Sequence, residues 1–224
     1  MACVFYFVTL SLVLFKGNCL SCIQCNSFND TPCIGNSQTC SSSNDVCAST
    51  LIHQTGDMWH SSFFIRYCAN VKECDKSGIV SNLYTTTLSS TKCCNFDNCS
   101  PPAPSLPSQN NTENELICPS YFDAKLEACD IKNYTKCTGD QNRCIRYSTT
   151  TTLASSKSSL YVGGCSTESL CLISNSYISA PRLTLEVKRS CSNKASALSY
   201  TLGNIYLSAL FCINSLFLHY YLML

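Results

Sequence analysis

The cysteines constrain this chain more than anything else in it. There are 20 of them in 224 residues, and their spacing repeats. Ten residues separate Cys22 from Cys33 and Cys118 from Cys129; six separate Cys40 from Cys47 and Cys137 from Cys144. Twenty separate Cys47 from Cys68 and Cys144 from Cys165; five separate Cys68 from Cys74 and Cys165 from Cys171. The last gap is 18 residues, Cys74 to Cys93, against 19, Cys171 to Cys191. Five gaps agreeing within one residue indicate duplication of a module of about 80 residues. Between the copies, SPPAPSLPSQNNTENE carries four prolines and no aromatic residue. It is expected to be an extended linker that either lets the modules move or packs along their edge.

Both ends are apolar. Val4 to Phe15 has the length of the apolar segment of a secretory signal, with small residues at Gly17-Asn18-Cys19 for cleavage. Removal of residues 1–19 is expected, taking Cys3 and Cys19 with it. Twelve residues are too few for a signal anchor that spans a bilayer. At the other end, Ile205 to Leu224 is long enough to span, but no Lys or Arg follows it. Small residues from Ser192 to Ala197, a polar stretch to Asn204 and the apolar tail together have the form of a glycosylphosphatidylinositol (GPI) attachment signal. Asn193 is the expected attachment residue and 193–224 the signal; a spanning helix and a secreted form are the alternatives. The expected organisation is therefore a leader (1–19), a first module (20–100), a linker (101–115), a second module (116–192) and the tail.

Within the modules the 20-residue gaps read as hairpins. Ser62 to Tyr67 is rich in aromatic and β-branched residues, after a turn signal at Gly56-Asp57. Arg146 to Leu153 has the same character, with Ala154-Ser155-Ser156-Lys157 as its turn. No sustained helical period is visible. Modules this poor in Leu, Ile and Val cannot bury enough surface to fold alone. Disulfides, each contributing ~2–4 kcal/mol by restricting the unfolded chain, are expected to carry them. The fold class is all-β and disulfide-rich.

The first module reads C-x2-C-x7-C-x6-C-x6-C-x20-C-x5-C-x18-C-C-x4-C. This pattern resembles the LU domain, the three-fingered fold of the urokinase receptor, the lymphocyte antigen six proteins and snake neurotoxins. The resemblance implies the pairs Cys22–Cys47, Cys25–Cys33, Cys40–Cys68, Cys74–Cys93 and Cys94–Cys99. It also implies an Asn after the last cysteine that braces the base, where this chain has Ser100. In the second module it implies Cys118–Cys144, Cys137–Cys165 and Cys171–Cys191. That leaves Cys129 unpaired, because its partner position holds Tyr121 and no terminal C-C-x4-C follows. Tandem modules with a degenerate second copy are similar to the gamma-type phospholipase A2 inhibitors and their cell-surface relatives.

A net charge of +1 without a basic run argues against a nucleic-acid partner. Residues 20–99 carry four Lys/Arg and six Asp/Glu, net −2; residues 116–192 carry nine and six, net +3. The two copies need not share a ligand. Cys22-x2-Cys25 has zinc-like spacing, but behind a secretory leader a structural disulfide is the expected state. His53 and Asp57 on one hairpin tip have neither an oxyanion loop nor a nucleophile elbow beside them, so no enzyme is expected. The stretch HQTGDMWH contains the chain's single tryptophan, which makes Met58, Trp59 and His60 the candidate binding residues. Packing of Trp59 across the hairpin is the competing role. Glycosylation sequons lie at Asn29, Asn98, Asn110 and Asn133. Asn110 is the best placed and Asn98, next to a bonded cysteine, the worst. The expected function is extracellular protein binding by a GPI-anchored LU-type protein that needs no cofactor or metal. The alternative is a secreted inhibitor that captures a phospholipase A2.

Overall fold

A computed structural model describes residues 19–123, 133–173 and 175–193. The first half consists of β1 (Ser21–Ser27), β2 (Asn36–Thr39), β3 (Asp45–Gly56), β4 (Trp59–Asn70), β5 (Ser77–Ser81) and β6 (Thr85–Cys94). The second consists of β7 (Glu113–Asp123), β8 (Asn133–Thr138), β9 (Arg143–Leu153), β10 (Ser156–Ser166), β11 (Ser176–Ala180) and β12 (Leu183–Asn193). A 3₁₀ turn, Val71–Glu73, and a short helix α1, Glu168–Cys171, interrupt the strands; neither shows in the hydrophobic pattern. Among the described residues no helix is long and apolar enough to cross a membrane.

Every pairing is antiparallel, and the second half repeats the first. β3 lies between β4 and β6, with β1 on the far side of β4. In the same way β9 lies between β10 and β12, with β7 beyond β10. The register repeats as well: Cys47 faces Cys68 and Cys94, while Cys144 faces Cys165 and Ser192. The strands are longer than the sequence suggests, because Thr and Ser runs continue the β-branched and aromatic cores. β7 begins at Glu113, so the connecting segment ends before residue 115.

Eight disulfides tie the described residues: Cys22–Cys47, Cys25–Cys33, Cys40–Cys68, Cys74–Cys93 and Cys94–Cys99 in the first half, and Cys118–Cys144, Cys137–Cys165 and Cys171–Cys191 in the second. These coincide with the pairs the resemblance implies. The adjacent Cys93 and Cys94 bond in different directions because neighbours along a strand point to opposite faces. Cystine clusters form the base of each half: Cys22, Cys40, Cys47 and Cys99 in one, Cys118, Cys137, Cys144 and Cys165 with Leu116 in the other. The base brace comes not from residue 100 but from the last small loop. Ser21 N–H donates to Asp97 Oδ1 at 2.8 Å, and Asn98 N–H returns to Ser21 O at 2.7 Å.

The apolar core lies between the halves. Ala48, Ile65, Tyr67 and Ala69 of β3 and β4 pack against Ile178, Ala180 and Leu183 of the β11–β12 hairpin. On β11, burial alternates with the pleat, so Ile178 and Ala180 face the first half while Tyr177 faces out. A second cluster joins Val80 of β5 to Ile145, Leu170 and Ile173. Beside it β5 pairs with β10 through Ser81 with Cys165 and Val80 with Ser166, which makes one sheet of the two halves. Gly164 permits that junction, since a Cβ there would sit 2.1 Å from Ser81 O. The linker packs rather than swings: Pro101 and Pro104 are buried, and Ser49 Oγ donates to Pro101 O at 3.1 Å.

Candidate binding surface

The β3–β4 hairpin closes through a two-residue turn, Asp57-Met58, with Gly56 paired to Trp59. The turn leaves Met58 96% exposed and Trp59 45% exposed. Gly56 explains the intermediate value for Trp59. A Cβ on Gly56 would lie 2.5 Å from the indole Nε1, so the ring rests on the bare glycine across the hairpin. One face of Trp59 is spent on packing and the remainder faces water. His60, paired with Thr55, is exposed beside it.

Gly56 pairs on its other side with Thr85, which brings in the tip of the β5–β6 hairpin. There Asn82 closes the turn: its Oδ1 accepts from Tyr84 N–H (2.7 Å) and Thr85 N–H (2.9 Å). The closed turn displays Leu83 and Tyr84, both about half exposed. The second half supports this tip. Leu83 N–H donates to Ser120 Oγ at 2.9 Å, and Asn133 Nδ2 donates to Tyr84 OH at 2.9 Å. Two adjacent tips thus present Met58, Trp59, Leu83 and Tyr84. Leu83 and Tyr84 were not singled out in the sequence, although Asn82 between IVS and TTTLSS is a turn signal. Asp57 is the only charged residue among 53–60 and 82–85, apart from the histidines. The surface suits an apolar or aromatic partner patch.

Other sequence candidates sit elsewhere. Cys22 and Cys25 are each in disulfides. The tightest sulfur groupings, Cys22 with Cys40 and Cys68, and Cys118 with Cys137 and Cys165, consist of bonded cysteines without the thiolate a metal requires. Among the described residues the one free cysteine is Cys19. Cys129 and the tail lie outside the described residues. Asn193 ends β12, opposite Arg143. All four sequon asparagines are exposed. Asn29 and Asn110 share one geometry: each Oδ1 accepts the N–H of the sequon threonine at 2.9 Å, from Thr31 and Thr112. Asn133 uses its amide nitrogen on Tyr84, and Asn98 has positive φ and accepts from Ser37.

A buried polar group lies at the contact between the halves, unannounced by any motif. Tyr67 OH donates to Glu73 Oε2 at 3.2 Å, and Arg189 Nη1 donates to Ser176 Oγ at 2.8 Å. Burial raises the Glu73 pKa; the Tyr67 hydrogen bond, the Arg189 charge and Ser176 oppose the rise. Burial pushes Tyr147 up to about 12, and it lowers Arg189, with Glu73 opposing. Its position in the core makes this group part of the joint rather than a site for a solute.

No protein-family model matches the chain. Among solved structures, the crystal structure of mouse TEX101 is similar at 15% sequence identity and a TM-score of 0.34, over 77% of this chain and 97% of that one.

Proposed function

We propose that this chain is an extracellular, GPI-tethered protein of two LU-type modules, residues 20–100 and 116–192, that recognises another protein through its paired hairpin tips. The observation that carries the reading is the display of Met58, Trp59, Leu83 and Tyr84 on adjacent turns of a cystine-tied sheet. Backbone held this way loses little conformational entropy on binding, and exposed aromatic residues are the usual anchors of an interface. The anchor reading rests on the small residues near Asn193, the polar spacer and the apolar tail.

Two measurements test it. Cells expressing the full chain are treated with a phosphatidylinositol-specific phospholipase C; release from the surface is expected, and retention beside a released control protein rejects the lipid anchor. Surface proximity labelling is then compared between the wild type and the Met58→Ala/Trp59→Ala variant at equal surface amounts. A neighbour lost with the variant is the expected ligand, and identical labelling rejects the tips as the binding surface.

A further inference from the structure

Asn110 lines a cleft of about 340 Å³ between the linker, β5, the β8–β9 turn and the approach to α1. The cleft crosses the joint between the halves, with Ser77 and Ser81 on one side and Asp140, Asn142 and Glu168 on the other. Its size is at the lower end of the range of small-molecule sites. Its walls are hydroxyl, amide and carboxylate groups around two apolar patches, Ile79 and Pro107. At the floor, buried Gln141 is engaged at both ends of its amide: its Nε2 donates to Ser81 Oγ (2.8 Å), and its Oε1 accepts from Thr138 Oγ1 (3.0 Å) and Thr138 N–H (3.3 Å).

The geometry points to an intramolecular ligand: an N-linked glycan on Asn110 whose first N-acetylglucosamine residues lie in this cleft and bridge the linker to both halves. The Asn110 carboxamide is turned for it. Its Oδ1 holds the Thr112 N–H, while its Nδ2, the atom that carries the sugar, has no hydrogen bond to any described residue. The backbone around the asparagine is tied down: Gly139 N–H donates to Thr112 O at 2.8 Å, and Asn110 approaches Gly139 so closely that a Cβ there would come within 2.9 Å of the Asn110 Cβ. The wall chemistry matches amino sugars. Asp140 accepts from hydroxyls, Gln109 and Asn142 both donate and accept, and the apolar patches suit the acetamido methyl. Covalent attachment supplies an effective concentration on the order of mM, so a weak site is sufficient to hold the sugars. Asn29 shares the turn but not the cleft.

This inference rests on the extracellular reading, since the glycan is added in the secretory pathway. The test uses the full chain from glycosylating cells. Native protein is treated with a peptide N-glycosidase in the presence of a short reference glycopeptide, and site occupancy is followed by peptide mass. The Asn110 glycan is expected to be released at least ~10-fold more slowly than the reference, with the difference lost after reduction and denaturation. An Asp140→Ala/Asn142→Ala variant, with the sequon intact, is expected to restore fast release. Hydrogen exchange at residues 138–142 is expected to quicken in Asn110→Gln. Release at the reference rate from native protein, an unglycosylated Asn110 beside a glycosylated Asn29, or no change in the double variant overturns the docked glycan alone. A chain that stays inside the cell without sugar at any sequon overturns the extracellular reading together with it.

Discussion

Tyr121 fills the space that Gly163 leaves on the facing strand: a Cβ on Gly163 would meet the ring at 2.2 Å. At the equivalent pairing of the first half, Cys25 faces Arg66. Small opposite large has become large opposite small. Where Cys25 stands in the first half, position 121 is filled by packing, and the glycine is its necessary partner. Burial, opposed by Arg146, raises the Tyr121 pKa, as expected of a phenol set into a wall.

Gly163→Ala is expected to destabilise the second half by ~1–3 kcal/mol, the usual effect of forcing a methyl into a filled site. Tyr121→Ser in the same chain is expected to recover most of it. Urea unfolding of the two single variants and the double variant measures the coupling. Additive effects would show that the two side chains do not share that space.

The tip makes a contrasting prediction. Trp59 packs on Gly56 but remains half exposed, and the disulfides carry the scaffold. Trp59→Ala is expected to leave the melting temperature within a few degrees of wild type and to weaken ligand binding by ~2 kcal/mol, about 30-fold. Thermal unfolding and binding on the same preparations separate the outcomes. A large stability loss with unchanged affinity would assign the ring to packing.

The cystine framework was legible in the sequence because disulfides fix spacing, and Cys47 facing Cys68 recurs as Cys144 facing Cys165. The joint between the halves was not. Ala48 and Ile65 are more than 100 residues from Ile178 and Leu183 in the chain, and each looks too small or too isolated to form a core. A count of Leu, Ile and Val in each half alone understates the apolar surface that the two halves bury together. The Pro-rich composition of the linker reveals its extension, but Pro101 lies against Ser49 for a reason that only the folded neighbour supplies. Met58 and Trp59 stood out by residue type. Leu83 and Tyr84 belong beside them because β3 pairs with β6, a long-range register that no local pattern carries.

Shared cores should make the halves unfold together. Calorimetry on the disulfide-intact protein is expected to give one transition, with van't Hoff and calorimetric enthalpies equal. Gln141→Leu removes the buried amide that joins Ser81 to Thr138 and leaves their hydroxyls unpaired, at a cost of about 1–3 kcal/mol. The variant should melt earlier. Two resolved transitions already in the wild type would mean that the halves are energetically separate.

The Glu73 carboxyl gives the joint a pH dependence whose sign is opposite to that of an ordinary ion pair. Burial raises its folded-state pKa above the ordinary 4.5, with Tyr67, Arg189 and Ser176 only opposing the rise. The folded protein therefore binds this proton more tightly than the unfolded chain does. The contribution of Glu73 to stability is fully present below the unfolded pKa and is lost as pH rises through the folded value. The groups around it do not reverse this: burial raises the Tyr67 and Tyr147 phenols, which stay neutral here, and Arg189 is the neighbouring cation. From neutral pH down toward 4.5, wild type is expected to gain stability relative to Glu73→Gln, by at most ~1.4 kcal/mol per pH unit. Urea unfolding of both proteins across that range measures the difference directly. A difference that shrinks in acid would mean that the pairing with Arg189 outweighs burial, and that Glu73 is held charged at the joint.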